Sequence, residues 1–269
     1  MPGVPRALTI LVTVLALGAT ARAASPQPVM VALGDDGTLL VFALGQPGTV
    51  RKVTPKGTSG RLVGIDERPA DGHLYGLAGT SDLYRVDPTS GAATLVGTLT
   101  VPFDGEQRSG FDFNPQADRL RLVSAEGQNL RVHPGLGATA VDRPLAWVPG
   151  DPNASHRPRV TAAAYTNNIP EAPTTKLFVI DGERNVLALQ DPPNDGRLRT
   201  VGPLGVDFGP LGGFDIVTDT QGTDTAYAAS GATLYTIDLT TGAATVLGTI
   251  GDGTAHVVSL AASREATPP

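Results

Sequence analysis

The chain has 269 residues, a formal net charge of −6 and no cysteine. The lack of cysteine excludes disulfides, thiolate metal sites and a cysteine nucleophile, and the acidic balance argues against nucleic acid as a partner. Glycine (33 residues) and proline (23 residues) make up about a fifth of the chain, and short runs rich in Val, Leu, Thr and Tyr lie between them. This pattern predicts an all-β protein.

The N-terminal segment has the pattern of a secretory signal peptide. Arg6 supplies a basic start, ALTILVTVLALGA is an apolar run, and Ala21 and Ala23 occupy the small-residue positions of a cleavage site. The run is shorter than the roughly 20 apolar residues that a membrane-spanning helix needs. We therefore predict a signal peptide at residues 1–23 and an exported protein, periplasmic or extracellular, with no membrane span and a single domain at residues 24–269.

A four-strand unit recurs along the rest of the chain. In its clearest copy, RLVGIDERP, HLYGLA, DLYRVDP and AATLVGTL follow one another across short turns. The eighteen residues from Leu83 recur from Leu234 with ten identities, and the units repeat every 44–56 residues. Such a period is typical of β-propeller blades. Four complete units are predicted, at residues 61–101, 109–146, 159–205 and 211–251.

The two ends of the mature chain together supply a fifth unit. Residues 28–57 contain only three strand-like runs, and AHVVSLAA, within residues 254–262, fits the missing innermost strand. The predicted fold is therefore a five-bladed β-propeller closed by pairing of the N- and C-terminal strands in one blade, which ties down both ends. A β-barrel or sandwich and a different number of blades are the alternatives.

One long segment carries a family resemblance. SGFDFNPQADRLRLVSAEGQNLRVHPGLGATAVD, from Ser109 to Asp142, resembles the signature of bacterial exported proteins in the domain-of-unknown-function 4394 family, and VTAAAYTNN and LGGFDIV are similar to that family's repeats. The resemblance extends over roughly residues 29–262. It implies a repeat-built β protein outside the cytoplasm. It implies no catalytic residues, because the family has no established activity.

Superposing the five innermost strands places Asp66, Asp112, Tyr165, Asp215 and Leu260 at one level of the predicted channel. Converging carboxylates could hold Ca²⁺ through oxygen ligands, or act as acid and base in glycoside cleavage. Alternatively, each Asp accepts backbone N–H bonds and links one blade to the next. We favour the linking role and expect no cofactor, with Ca²⁺ as the alternative.

A second group of candidate residues lies in the unit at residues 109–146. Arg121 and Arg131 fall on paired strands with Asn129 beside them, and their guanidinium groups could bind a carboxylate or a sulfate. The alternative is that both arginines pair with aspartates of a neighbouring blade. The residues therefore indicate an anion site or an internal ion-pair network.

Trp147 is the only tryptophan and lies beside the long loop 148–159. Together with the loop 167–175 it could form a binding rim on one face of the disc. We therefore predict a monomeric binding or scaffold module for a glycan, a peptide or an envelope partner. The alternatives are a hydrolase that uses the channel carboxylates and a purely structural module. The hydrolase requires these carboxylates to be reachable by solvent, and the binding module requires an aromatic-lined patch near Trp147.

Overall fold

A computed structural model of the protein describes Met1, Gly3 and residues 28–269. The signal peptide predicted at residues 1–23 therefore lies, apart from Met1 and Gly3, outside the described residues. Within the described part of the chain, no helix has the length and apolar character needed to cross a membrane. The only helical turn described there is a short 3₁₀ helix, Pro193–Asp195.

Five sheets form the blades of a propeller, and their strands, given below from the innermost outward, pair antiparallel except for β12 and β16 in blade 4. Blade 1 contains β21 (Val257–Ser263), β1 (Val29–Gly34), β2 (Leu39–Ala43) and β3 (Arg51–Val53). Blade 2 contains β4 (Leu62–Glu67), β5 (Leu74–Ala78), β6 (Asp82–Val86) and β7 (Ala93–Thr98). Blade 3 contains β8 (Ser109–Asn114), β9 (Arg119–Ser124), β10 (Asn129–Val132) and β11 (Thr139–Val141).

The last two blades follow the same order. Blade 4 contains β13 (Val160–Tyr165), β14 (Leu177–Asp181), β15 (Val186–Gln190), β16 (Arg197–Pro203) and, at its outer edge, the two-residue strand β12 (Ala146–Trp147). Blade 5 contains β17 (Gly213–Thr218), β18 (Asp224–Ser230), β19 (Thr233–Ile237) and β20 (Ala244–Thr249). The predicted all-β, five-bladed propeller is therefore confirmed.

The ring closes where the two ends of the chain meet. Strand β1 pairs antiparallel with β21, with Val31 opposite Ala261 and Ala32 opposite Leu260. Both strands are almost wholly buried, because their side chains pack between blade 1 and its neighbours. The predicted closure by the N- and C-terminal strands is confirmed, and it makes β1 an interior strand of its sheet, between β21 and β2.

Trp147 takes a different place from the one predicted. Strand β12 runs parallel to β16, with Trp147 opposite Leu198, so residues 146–147 extend blade 4 rather than end blade 3. The Trp147 side chain is only 8% exposed and packs in an apolar cluster with Leu198 and Val186. The prediction of a ligand-binding Trp147 is therefore wrong, because strand pairing turns the indole into the core.

The two long loops do not form a common rim. The innermost strands of a propeller run in the same direction, so we call the end of the disc where they begin the N face and the opposite end the C face. Loop 148–159 precedes β13 and loop 167–175 follows it, so the first lies on the N face and the second on the C face. The prediction of one rim is wrong, because one strand crosses the disc between the two loops.

Candidate functional site

Three innermost strands share the pattern Gly-x-Asp: Gly64-Ile65-Asp66, Gly110-Phe111-Asp112 and Gly213-Phe214-Asp215. Residues two apart lie on the same side of a strand, so each Gly and its Asp face the next blade together. A Cβ atom on Gly110 would lie 2.4 Å from the Cβ of Ala163, and one on Gly213 would lie 2.3 Å from the amide nitrogen of Leu260. The glycines therefore allow neighbouring innermost strands to approach closely.

Each aspartate of this pattern accepts a backbone hydrogen bond from the next blade. Charge-assisted bonds of this kind are stronger than neutral ones, and each joins two innermost strands that share no sheet ladder. The donors are the amide of Phe113 for Asp66 Oδ2 (2.8 Å), that of Tyr165 for Asp112 Oδ1 (3.1 Å) and that of Ala262 for Asp215 Oδ2 (2.5 Å).

The two remaining joints between blades use other polar groups. Between blades 1 and 2, Ser259 Oγ accepts a bond from the amide of Ile65 and donates one to its carbonyl, both at 3.1 Å. Between blades 4 and 5, where Tyr165 stands in place of the aspartate, the amide of Asn167 donates to Asp224 Oδ1 at 3.1 Å. A polar link therefore joins every pair of neighbouring blades, which is the linking role favoured by the sequence.

The three aspartates also converge on one point. One carboxylate oxygen of each lies within 4.8 Å of the others, and each residue is only 1% exposed. Burial, with added repulsion from the neighbouring carboxylates, raises the pKa of Asp66 and of Asp112. Burial raises the pKa of Asp215 to about 6, against the opposing effect of hydrogen bonds from the amides of Ala262 and Ile216.

This burial bears directly on the hydrolase alternative. Asp66, Asp112 and Asp215 are close together, as that alternative requires. They are not reachable by solvent, however, because the packed innermost strands cover them. A glycoside in water cannot contact these carboxylates, so the expectation of solvent-reachable catalytic aspartates is wrong.

A cavity of about 210 Å³ opens on the C face between blades 3 and 4. We call it the arginine cavity, because three arginines line it and none of its described lining residues is Asp or Glu. Neutral polar side chains complete most of the wall. The lining side chains that can form hydrogen bonds are Arg119, Arg121, Arg131, Asn114, Gln116, Tyr165, Thr175 and Asn194.

Arg121 forms the floor of this cavity and is only 2% exposed. Its Nη1 donates to Asn129 Oδ1 at 2.6 Å and to Asp142 Oδ2 at 2.7 Å. Its Nη2 donates to Asn194 Oδ1 at 2.7 Å, and its Nε donates to the Tyr165 hydroxyl at 3.3 Å. Because four groups already engage its guanidinium, Arg121 positions the wall of the cavity and has little capacity left for a ligand.

Arg131 is the more accessible of the two predicted arginines. Its Nε and Nη2 hold both oxygens of Asp142 at 2.7 and 3.0 Å, and this pairing raises the pKa of Arg131. The side chain is 39% exposed, and its Nη1 makes no hydrogen bond within the described part of the chain. The aspartate that both arginines bind comes from their own blade, so pairing with a neighbouring blade, as the alternative supposed, is wrong.

The structure therefore brings together Tyr165, Arg121 and Arg131 from the predicted residues, with Asn129 below them. Asn129 is buried, and its Nδ2 donates to the carbonyls of Arg143 and Pro193, both at 3.0 Å. Sequence reasoning missed Asn194. The segment DPPNDG around it signals a turn, but nothing local indicates that this turn of blade 4 reaches blade 3.

The class of protein is now defined: a five-bladed β-propeller whose innermost strands are linked by buried Gly-x-Asp segments, with an arginine-lined cavity on one face. More particularly, the chain belongs to the family described as "Domain of unknown function (DUF4394)", whose model matches residues 38–261. The resemblance inferred from the sequence is thereby confirmed. A comparison with curated proteins found no match.

Several solved structures are similar to this chain. One is a structural genomics protein of unknown function from Bacteroides thetaiotaomicron VPI-5482, with 12% identity, 82% of this chain and 52% of that chain covered, and a TM-score of 0.49. Another is an auxiliary nutrient binding protein from the same organism. Its identity to this chain is 14%, the match covers 74% of this chain and 55% of that chain, and the TM-score is 0.44. This chain spans about half the length of these proteins.

Proposed function

We propose that this protein is a binding module that holds the acidic group of a sugar acid, a carboxylate or a sulfate, in the arginine cavity. The observation that carries the proposal is the charge of the wall: three arginines line the cavity, and none of its described lining residues is acidic. Asp142 lies behind the wall and offsets one of these charges. The cavity therefore keeps a net positive charge, which attracts an anion.

Arg131 is the residue that supports direct contact with the ligand. Its Nε and Nη2 are fixed by Asp142, which leaves the two Nη1 hydrogens on a partly exposed side chain. A guanidinium held in this way is already oriented, so little conformational entropy is lost when it binds an oxyanion. Arg119 contributes a second charge, and its Nη1 is held by the carbonyl of Asp118 at 2.7 Å.

The rest of the wall favours a ligand rich in hydroxyl groups. The neutral side chains include the amides of Asn114, Gln116 and Asn194 and the hydroxyl of Thr175, and these side chains both donate and accept hydrogen bonds. The volume of about 210 Å³ is below the range of about 300–1,000 Å³ common for drug-sized ligands. One acidic sugar unit, free or at the end of a glycan, suits this size and polarity.

We also propose that the protein is exported and meets this ligand in the periplasm or outside the cell. The support is the signal-peptide pattern of residues 1–23. The absence of cysteine agrees with a domain whose stability in that compartment comes from its packed core rather than from disulfides.

Isothermal titration calorimetry tests the proposed ligand class with glucuronate, glucose, sulfate and N-acetylalanine as probes. We expect glucuronate to bind and glucose, which lacks the acid, not to bind. Arg131→Gln should weaken glucuronate binding about 10- to 100-fold, because a hydrogen bond to a charged group contributes about 1.5–3 kcal/mol. Added salt should also weaken binding, since the attraction is between charges.

Arg184→Gln is the matched control, because Arg184 is an exposed arginine in the turn before β15 and lies outside the cavity. The proposal is contradicted if no acidic probe binds, or if both arginine variants bind glucuronate as the unaltered protein does. Binding of N-acetylalanine in preference to glucuronate would replace the sugar acid by a peptide carboxylate as the ligand.

A further inference from the structure

We propose that Asp66, Asp112 and Asp215 form a Ca²⁺ site on the axis of the propeller, where the innermost strands of blades 2, 3 and 5 meet. This site is separate from the arginine cavity, since none of the three aspartates lines that cavity. The proposal therefore stands or falls independently of the anion-binding function.

The spacing of the three carboxylates fits a calcium ion. Oxygens that are no more than 4.8 Å apart can all lie within about 2.8 Å of one point, which is 4.8 Å divided by √3. Ca²⁺ binds carboxylate oxygens at about 2.3–2.6 Å in a flexible geometry, so small side-chain rotations close the difference. Mg²⁺ needs about 2.0–2.1 Å and near-ideal octahedral geometry, which these three oxygens fit less well.

A second observation points to a missing ligand. Asp66 is only 1% exposed, and its Oδ1 has no hydrogen-bond partner within the described part of the chain. Its other oxygen, Oδ2, is occupied by the amide of Phe113. A buried oxygen without a partner is rare in folded proteins and calls for an ion, a water or another polar group.

Electrostatics decides which kind of group is needed. Three carboxylates buried side by side repel one another, and no Lys or Arg is within ion-pair distance of Asp66, Asp112 or Asp215 among the described ion pairs. Buried charges persist only when they are paired or coordinate a metal. A proton shared between two carboxylates is the other way to remove this repulsion, and the acid treatment in the experiment below separates it from a cation.

The hydrogen bonds from neighbouring blades prepare the carboxylates for coordination. The amides of Phe113, Tyr165 and Ala262 each hold one oxygen of an aspartate. They fix the carboxylate orientations, as outer hydrogen bonds do for metal ligands in general. A bound ion would then join three blades at the axis and stabilise the closed ring.

The experiment compares thermal unfolding of the purified protein in EDTA, in Ca²⁺ and in Mg²⁺. Calcium at about 100-fold its dissociation constant should raise the unfolding midpoint by about 5–10 °C for a domain of this size. Mg²⁺ should raise it less, and calorimetry should count one Ca²⁺ per chain. Asp66→Asn should abolish the Ca²⁺ response.

Without metal, Asp66→Asn should have the opposite effect on the unfolding midpoint relative to the unaltered protein. In EDTA, Asp66→Asn should melt at or above the temperature of the unaltered protein, because it removes one of three repelling charges and its amide oxygen can still accept from Phe113. Asp104→Asn, at an exposed position away from the axis, should keep the full Ca²⁺ response. If Asp66→Asn does not fold, Asp215→Asn takes its place.

The proposal is overturned if Ca²⁺ and EDTA leave the midpoint unchanged. It is also overturned if Asp66→Asn responds to Ca²⁺ as strongly as Asp104→Asn does. Stabilisation by acid with no response to either metal would show that protons, not a cation, neutralise the three aspartates.

Discussion

The close approach of the innermost strands predicts that Gly213→Ala destabilises the ring at its closure. Gly213 lies at the start of β17, directly against β21. A Cβ atom there would lie 2.3 Å from the amide nitrogen of Leu260 and 2.4 Å from the carbonyl carbon of Ser259. Both atoms are backbone, so no side chain can rotate away. Strand β21 must move, and with it the amide of Ala262 that Asp215 binds.

The expected loss combines two effects. Overpacking by one methyl group typically costs about 1–3 kcal/mol, and weakening a hydrogen bond to a charged group removes part of about 1.5–3 kcal/mol. A total loss of about 3 kcal/mol in the free energy of unfolding lowers the midpoint by about 6–12 °C in a domain of 150–250 residues. Alanine itself carries no backbone penalty at this position, because Gly213 does not have a positive φ.

Circular dichroism during heating and urea titration measures this loss. Gly60→Ala is the matched control, because the nearest atom to its added Cβ lies 3.9 Å away and its φ is not positive. That variant should be neutral or more stable by about 0.4–1 kcal/mol, since alanine restricts the unfolded chain. Equal midpoints for Gly213→Ala and Gly60→Ala would refute the reasoning that the glycine permits strand contact.

An ion pair between two blades and the signal-peptide pattern each give a further prediction. Arg68 holds both oxygens of Asp118 across blades 2 and 3, which lowers the pKa of Asp118. This pair stabilises the protein above the unfolded pKa of about 3.9, and its contribution is lost as the pH falls through the lower folded value. Asp118→Asn should therefore melt about 2–4 °C lower at pH 7, as a partly exposed pair contributes at most about 1 kcal/mol. This difference should shrink as the pH falls through the lowered pKa of Asp118 and disappear below it; a difference that persists in acid would contradict the assignment. The second prediction concerns export: mass spectrometry of the secreted protein should give Ala24 as its first residue, and an intact Met1 would contradict it.

The sequence predicted the fold well because its signals are local and repeated. The matching segments that begin at Leu83 and Leu234 cover most of β6 and β19, the third strands of blades 2 and 5, and continue through the fourth strands, β7 and β20. Alternation of apolar and polar residues predicts which faces of a strand are buried, and turn residues predict where the strand ends. The repeat period identifies the strands that occupy equivalent positions in different blades. The closing strand β21 was predictable because blade 1 lacked an innermost strand.

The position of Trp147 could not be predicted from such local signals. A two-residue strand has no alternation, and its partner β16 lies about fifty residues further along the chain. Aromatic residues beside long loops are common at binding sites, so the local sequence favoured exposure. The contact with Leu198 that buries the indole exists only after blade 4 has formed.

The direction of the aspartate side chains could have been inferred more fully. Glycine and aspartate two positions apart face the same way along a strand, and a glycine in a buried strand often marks close backbone approach. The Gly-x-Asp spacing therefore indicated that both residues face a neighbouring strand. What the sequence could not show is the distance between Asp66, Asp112 and Asp215, because that depends on how tightly the five strands close around the axis.

Tyr165 of blade 4 takes part both in the links between blades near the axis and in the arginine cavity. The Gly-x-Asp pattern becomes Ala163-Ala164-Tyr165 there, so this blade adds no fourth carboxylate to the axis. The Tyr165 amide still donates to Asp112, while its hydroxyl accepts from Arg121 in the arginine cavity. A fourth aspartate would increase the repulsion at the axis and leave Arg121 without this partner. The departure from the repeat in blade 4 thus relieves the repulsion at the centre of the ring and supplies part of the wall of the arginine cavity, whose three arginines come from blade 3.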